Sequence, residues 1–283
     1  MIRSVAIFPS QAALNSTPVL TAMKSALKRA GVQVQENHRD SDAALIWSVL
    51  WHGRMKVNRE IYEHYRAQGR PVIVVDIGAL YRGNTWKVAV NHVNRLGYYG
   101  HEQDLDWDRP QKLRISLAQP VSTLPYVCIA AQHERSLQVS DLPAQTEWVM
   151  QQIKAVKAVT DRPIVVRPHP RSPLRLPRLP AGVIVEQPRP VPNTYDSFDM
   201  HFNCHAVINH CSGPGIQAAI AGCRPVVSEH SLAWPVGVAL ADLEQPYDHD
   251  RDQWLVEICH TEYTLDELAQ GLWLRRIEPA LTR

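Results

Sequence analysis

Short apolar runs recur along this chain, separated by helix-length amphipathic stretches, and that alternation limits the fold more than any other feature. Residues 5–8 form a brief apolar run, and residues 18–29 have helical spacing that stops at Gly31, which is suited to the left-handed position after a helix. Val32 and Val34 alternate with polar residues, as on an edge strand. Residues 43–50 (AALIWSVL) are apolar almost without interruption, the pattern of a strand buried on both faces. Residues 58–68 read as a helix stopped by Gly69 and Pro71. A second buried strand, 72–75, then ends in Asp76. Strands separated by single helices imply right-handed crossovers and a parallel sheet, so the fold class is α/β.

From Trp86 to about Pro120 the pattern weakens, and the turn-rich residues 94–104 read as a loop over a site or a connector. A second alternation follows. Strands are expected at 126–130, 163–166, 183–185, 206–208 and 225–228, and helices at 143–159 and 215–221. A further helix is expected at 265–277. The 283 residues suit two domains of about 130–150 residues each. The boundary is placed near residue 120, giving Rossmann-like domains 1–120 and 121–283.

Composition removes several classes. No apolar run reaches 18 residues, so no membrane span is expected. MIRSVAIFPS reads as a buried first strand rather than a signal peptide. The five cysteines are odd in number and form no CxxC pair. They fit neither a disulfide framework nor a zinc ribbon, and they suit a reducing cytoplasm. The formal net charge of +2 excludes a global polycation, yet six arginines and no lysine lie between Arg162 and Arg189, with Glu186 the only acid. That excess favours a phosphate-bearing ligand, or else a solvated proline-rich loop.

Three places could carry chemistry. Residues 206–229 read as strand, Ser/Gly turn, helix, Gly stop and strand. Ser212, Gly213 and Gly215 stand where backbone N–H groups and the helix dipole would meet a phosphate, and Glu229 stands where a ribose would be held. Any strand–turn–helix unit needs similar residues for capping. The run Ile164-Val-Val-Arg-Pro-His-Pro-Arg171 delivers Arg167 and His169 to a strand's carboxyl end, where open α/β sheets bind ligands. Asp76 ends its strand as either a general base or a turn former. His52 and Arg54 follow the 43–50 strand toward the same end. Asp196 and Asp199 read as donor-hydroxyl ligands or, preferably, as helix caps.

The order RPHP, Ser-Gly helix start and Gly-x-x-Pro-Val-Val-x-Glu resembles the donor half of GT-B glycosyltransferases and their capsule-polysaccharide relatives. The stretches around Trp51-His-Gly-Arg54 and Asp76-Ile-Gly-Ala-Leu-Tyr81-Arg82 are similar to bacteriophage glycosyltransferases linked to hypermodified DNA bases. The resemblance implies two Rossmann-like domains facing a cleft, an acceptor-binding N-terminal domain and a nucleotide-sugar-binding C-terminal domain. It implies Asp76 and His52 as catalytic groups. Arg167, His169, Ser212, Gly213, Gly215 and Glu229 would lie at the donor, and Arg54, Tyr81 and Arg82 at the acceptor. A UDP-sugar co-substrate, no metal and no other cofactor are implied, with 5-hydroxymethylcytosine in double-stranded DNA as an acceptor and the host cytoplasm as the place. A polysaccharide-type transferase, a nucleotide-sugar epimerase and a non-catalytic nucleotide- or DNA-binding module are the alternatives.

Overall fold

The computed structural model describes residues 2–101, 103–120, 124–194, 197–200 and 202–282. The chain forms two compact units, one built from Met1–Asp106 together with Cys259–Arg283, the other from Trp107–Ile258. The first unit opens with β1 (Ser4–Ile7), α1 (Thr17–Arg29), β2 (Gln33–Glu36), β3 (Ala43–Trp47), α2 (Asn58–Ala67), β4 (Val72–Ile77) and β5 (Thr85–Val90). The second unit contains α3 (Arg109–Leu113), β6 (Val127–Ala130), α4 (Gln145–Lys157), β7 (Ile164–Arg167), β8 (Val183–Val185), β9 (Ala206–Asn209), α5 (Gly213–Ile220) and β10 (Arg224–Val227), and α6 (Asp252–Cys259) closes it. The chain then returns to the first unit as β11 (Glu262–Thr264), α7 (Leu265–Gln270) and α8 (Leu272–Leu281).

The first sheet has the order β11-β5-β4-β3-β1-β2. Strands β2, β1, β3 and β4 are parallel, β5 runs antiparallel to β4, and β11 pairs antiparallel with β5 and so runs with the other four. All five residues of β3 are buried, which is why its sequence is apolar on both faces. Helix α1 covers one face with Val19, Leu20, Met23, Ala26 and Leu27, spaced to form a single stripe. The returning segment completes this core, since Tyr263, Leu268, Trp273, Ile277 and Leu281 pack into the same cluster as Ile7, Leu45 and Val75.

The structure corrects two sequence expectations and adds one strand. Residues 85–90 form a strand where the sequence pattern weakens, and Lys87 obscured it by interrupting the apolar run of a buried strand. Residues 265–281 form two helices rather than one. Gly271, at φ +80°, ends the first, and Thr264 and Glu267 cap its start reciprocally. The division between units falls at Asp106–Trp107 rather than near 120, and the C-terminal segment belongs to the first unit because its apolar face completes that core.

The second sheet is wholly parallel, in the order β10-β9-β6-β7-β8. From β6 the chain winds one way through β7 and β8, then crosses back to lay β9 and β10 on the other side. This doubly wound order leaves its switch point between β6 and β9. All five cysteines are buried and none forms a disulfide. At this unit's surface, Glu244 accepts from Arg162 Nε and Nη2, both at 2.8 Å, and from Thr160 Oγ1 at 2.6 Å.

Those bonds, led by Arg162, hold the Glu244 carboxyl down from its ordinary 4.5 to about 2. Because the folded pKa is depressed, the stabilisation is present above about 4.5 and is lost as pH falls from there through about 2. The Glu244 side chain is 43% exposed, so solvent screens the pair and its worth is about 1 kcal/mol or less. Glu244→Gln is expected to lower urea-unfolding stability by about that amount at neutral pH. The gap to the wild type should narrow as the pH falls through that window.

Candidate functional site

In the second unit, the carboxyl ends of β6 and β9 flank the switch point, where doubly wound sheets bind their ligands. Side-chain amides hold this region together. Asn209, the last residue of β9, donates through Nδ2 to the Ala130 carbonyl at the end of β6 (2.8 Å) and to Ser212 Oγ (3.0 Å). Its Oδ1 accepts the Ser212 N–H at 2.7 Å. Gln132, just past β6, accepts the Cys211 N–H at 2.7 Å, and its own N–H donates to Gln145 Oε1 at 3.0 Å. The turn into α5 is therefore fixed from both strands.

That arrangement revises the reading of the Ser/Gly turn. The Ser212 side chain makes no capping bond to α5, and its N–H is taken by Asn209, so it is not an open phosphate donor. Pro214 has no N–H and Gly215 donates to the Ser212 carbonyl at 3.2 Å, which leaves Gly213 as the amide at the helix start still suited to an anion. Gly215 is a packing residue. A Cβ there would lie 2.8 Å from Val227 Cγ1 of β10, so glycine lets α5 sit close on the sheet.

Arg167 differs from its expected role as a diphosphate clamp. It is buried, Nη1 donates to Glu186 Oε1 at 2.8 Å, and Nη2 donates to Asp199 Oδ1 at 2.6 Å and also to the Asp199 carbonyl. Two carboxylates already balance its charge, so it braces the end of β7 against the loop that follows β8. Asp199 serves this brace and accepts the Arg189 N–H at 2.7 Å instead of capping a helix. Asp196 lies outside the described residues. His169 is partly buried beyond β7, and its Nδ1 accepts the Arg171 N–H at 3.1 Å. Glu229 is exposed beyond the carboxyl end of β10.

Sequence reasoning named His169 but missed three further histidines at the same end of the sheet, which form two pairs with it. His133, His169, His210 and His230 each follow a parallel strand of this sheet, β6, β7, β9 and β10 respectively. The rings of His133 and His169 meet edge to face with centroids 5.1 Å apart, and those of His210 and His230 with centroids 5.9 Å apart. Burial lowers the His210 pKa by disfavouring its charged form, against the pull of Asp141. A position one to three residues past each strand was the available signal, but it becomes visible only once the strand order is known.

In the first unit, Asp76 stands near the end of β4 and is partly buried. Its Oδ2 accepts from Ser48 Oγ at 3.1 Å and its Oδ1 from the Ile77 N–H at 2.8 Å. Ser48 follows β3 with φ +62°, an uncommon conformation for a residue with a side chain. Lys87 lies directly across the antiparallel pair from Asp76 and is itself buried. Burial nonetheless wins and raises the Asp76 pKa, against the Ile77 N–H, Lys87 and Ser48. A carboxylate so adjusted is suited to taking a proton.

The other expected residues of this unit lie around the same sheet end. His52 is partly buried and leads into the 3-10 helix Gly53–Val57, which carries exposed Arg54. Tyr81 and Arg82 are exposed in the turn between β4 and β5, which closes through Thr85 N–H to the Tyr81 carbonyl at 2.9 Å. Glu262 of β11 secures that turn and was also missed. It is fully buried, and its carboxylate accepts the Ala79 N–H (2.6 Å), the Leu80 N–H (3.1 Å) and Thr85 Oγ1 (2.7 Å). A Cβ on Gly78 would lie 2.3 Å from Glu262 Oε2, so only glycine admits the carboxylate there.

No helix among the described residues is long and apolar enough to cross a membrane. No protein-family model and no curated protein sequence matches the chain. Among solved structures, it is similar to the β-Kdo 2,4-transferase KpsC of Thermosulfurimonas dismutans, with 12% identity and a TM-score of 0.45 over 92% of this chain and 90% of that one. The β-Kdo 2,7-transferase KpsC of the same organism gives 11% identity and a TM-score of 0.45 over 96% and 99%. The glycosyltransferase SnogD from Streptomyces nogalater gives 10% and 0.29 over 98% and 99%. Similarity at this level carries neither a substrate nor a residue role to this chain.

Proposed function

We propose that the chain is a glycosyltransferase that moves a sugar from a nucleotide-sugar donor held by the second unit to an acceptor hydroxyl. What supports this reading is the placement of its motifs. Arg-Pro-His-Pro, the Ser-Gly turn and Glu229 all stand at the carboxyl ends of parallel strands of one doubly wound sheet, around its switch point. In this reading the Gly213 N–H and the α5 dipole face the donor's phosphates, His169 supplies a ring N–H, and Glu229 accepts from the ribose hydroxyls. Arg167 orders the loop beside them through its two carboxylates.

Asp76 takes the proton from the acceptor hydroxyl as that oxygen bonds to the sugar's anomeric carbon. The bond from that carbon to the diphosphate oxygen breaks, and the nucleoside diphosphate departs with the bonding pair. Arg54, Tyr81 and Arg82, all exposed, are the residues of the first unit offered for acceptor contact. The first acceptor to try is 5-hydroxymethylcytosine in duplex DNA, with capsule-type oligosaccharides beside it.

The test incubates the protein with a panel of nucleotide sugars and each acceptor, then weighs the digested nucleosides or saccharides. A sugar's mass gained on hydroxymethylcytosine supports transfer to DNA, and the same gain on a saccharide supports a polysaccharide-type transferase. Conversion of the donor to an isomeric nucleotide sugar without any acceptor would move the assignment to an epimerase. No binding of any nucleotide sugar would overturn the reading.

A further inference from the structure

Asp141, His210 and His230 come from three separate segments of the second unit, yet one ligand atom of each lies within 4.8 Å of the others. His210 Nε2 is 3.8 Å from Asp141 Oδ1, and His230 Nδ1 is 3.7 Å from Asp141 Oδ2. Those separations are too long for hydrogen bonds, so the carboxylate sits between the rings without bonding to either. They are close to what a shared ion demands. Ligands about 2.0–2.1 Å from a tetrahedral zinc lie roughly 3.3 Å from one another, so side-chain shifts of at most about 1.5 Å would close the set from its 4.8 Å limit.

His210 supplies the second observation. The residue is 7% exposed, and its Nε2 is buried without a hydrogen-bond partner among the described residues. A buried ring nitrogen left unsatisfied is costly unless something else binds it. Nε2 is also the ring atom that faces the cluster, 3.8 Å from Asp141 Oδ1.

The two histidines are also held in relation to each other. Ser228 donates its N–H and its Oγ–H to the His210 carbonyl, each at 3.0 Å, and its Oγ accepts the His230 N–H at 3.3 Å. One small residue thus sets the spacing of both ligand-bearing backbones, the kind of outer support metal sites use.

We infer that Asp141, His210 and His230 form a site for one divalent transition-metal ion of the zinc type, with a coordination position left for water or an oxygen anion. Two imidazoles and a carboxylate suit such ions, and three protein ligands leave a four-coordinate metal open on one side. The sequence alone gave no reason to expect a metal, because the three ligands are spread over 90 residues and form no spacing motif. The site does not depend on the sugar-transfer reading.

The test titrates tag-free protein with Zn²⁺ by calorimetry and follows Co²⁺ by its visible absorption, in the wild type and in Asp141→Ala, His230→Ala and His64→Ala. His64 lies on α2 of the first unit and serves as the surface-histidine control. One equivalent is expected to bind wild type and His64→Ala alike. Affinity should fall at least about tenfold in the other two, the lower bound seen even for outer-sphere partners. Asp141 and His230 are the outer ligands, so thermal melts of the metal-free variants should match the wild type and separate loss of binding from loss of fold. No binding, or equal binding by all four proteins, would overturn the site.

Discussion

Asp76→Asn is expected to lower sugar transfer by roughly 10²- to 10⁴-fold, the range a positioned general base supplies, while leaving donor binding unchanged. The same substitution should make the protein more stable at neutral pH. Unfolded, Asp76 ionises at its ordinary 3.8, whereas folded it keeps its proton to higher pH because burial penalises the charge. The native state therefore binds more protons, and stability falls as pH rises from 3.8 through the folded pKa. Asparagine removes that falling limb. Variant and wild type should unfold alike below it and diverge above it, the variant melting higher. Urea titrations across pH, run beside single-turnover transfer, check both halves. Retained transfer would remove Asp76 from the chemistry, and a less stable variant at neutral pH would remove the buried charge.

Glu262→Ala carries the largest expected loss of stability. It leaves the Ala79 and Leu80 N–H groups without the acceptor they share, while the Thr85 hydroxyl keeps the Tyr81 carbonyl at 3.2 Å. Each orphaned donor costs about 1–3 kcal/mol, so a loss of at least about 2 kcal/mol is expected in urea unfolding. Gly78→Ala should reproduce the effect from the other side, because its Cβ would meet the same carboxylate. Amide exchange should rise first at residues 78–85. A loss under about 1 kcal/mol in both variants would mean that solvent or a shifted loop replaces the carboxylate.

The strands that read clearly in the sequence are those whose burial writes itself into composition. β3 and β4 are apolar because both faces are covered, although the apolar run through Leu50 outlasts β3, which ends at Trp47. β5 escaped notice because Lys87 is buried opposite Asp76, a pairing between strands that no local pattern records. Arg167 illustrates the opposite error. Arg-Pro-His-Pro marks a strand end correctly, but only the fold shows that Glu186 and Asp199 have already taken the guanidinium. Glu262 and the histidine pairs share that origin, since their neighbours lie far away in sequence and close in space. Ser212 was misread more locally, its N–H drawn off by Asn209 only three residues earlier.

The return of Cys259–Arg283 to the first unit also sets an order of events during synthesis. The second unit, Trp107–Ile258, is a single continuous stretch and has all its strands once that stretch has left the ribosome. The first unit must wait with β5 unpaired along one edge, and with the places of Trp273 and Ile277 in its core unfilled, until β11, α7 and α8 emerge. Domains usually mature from the amino terminus onward at about 5–20 residues per second. Here the order is reversed, and for several seconds the nascent chain pairs a finished second half with a first half that exposes an open strand edge. That interval is when a chaperone would have most to protect.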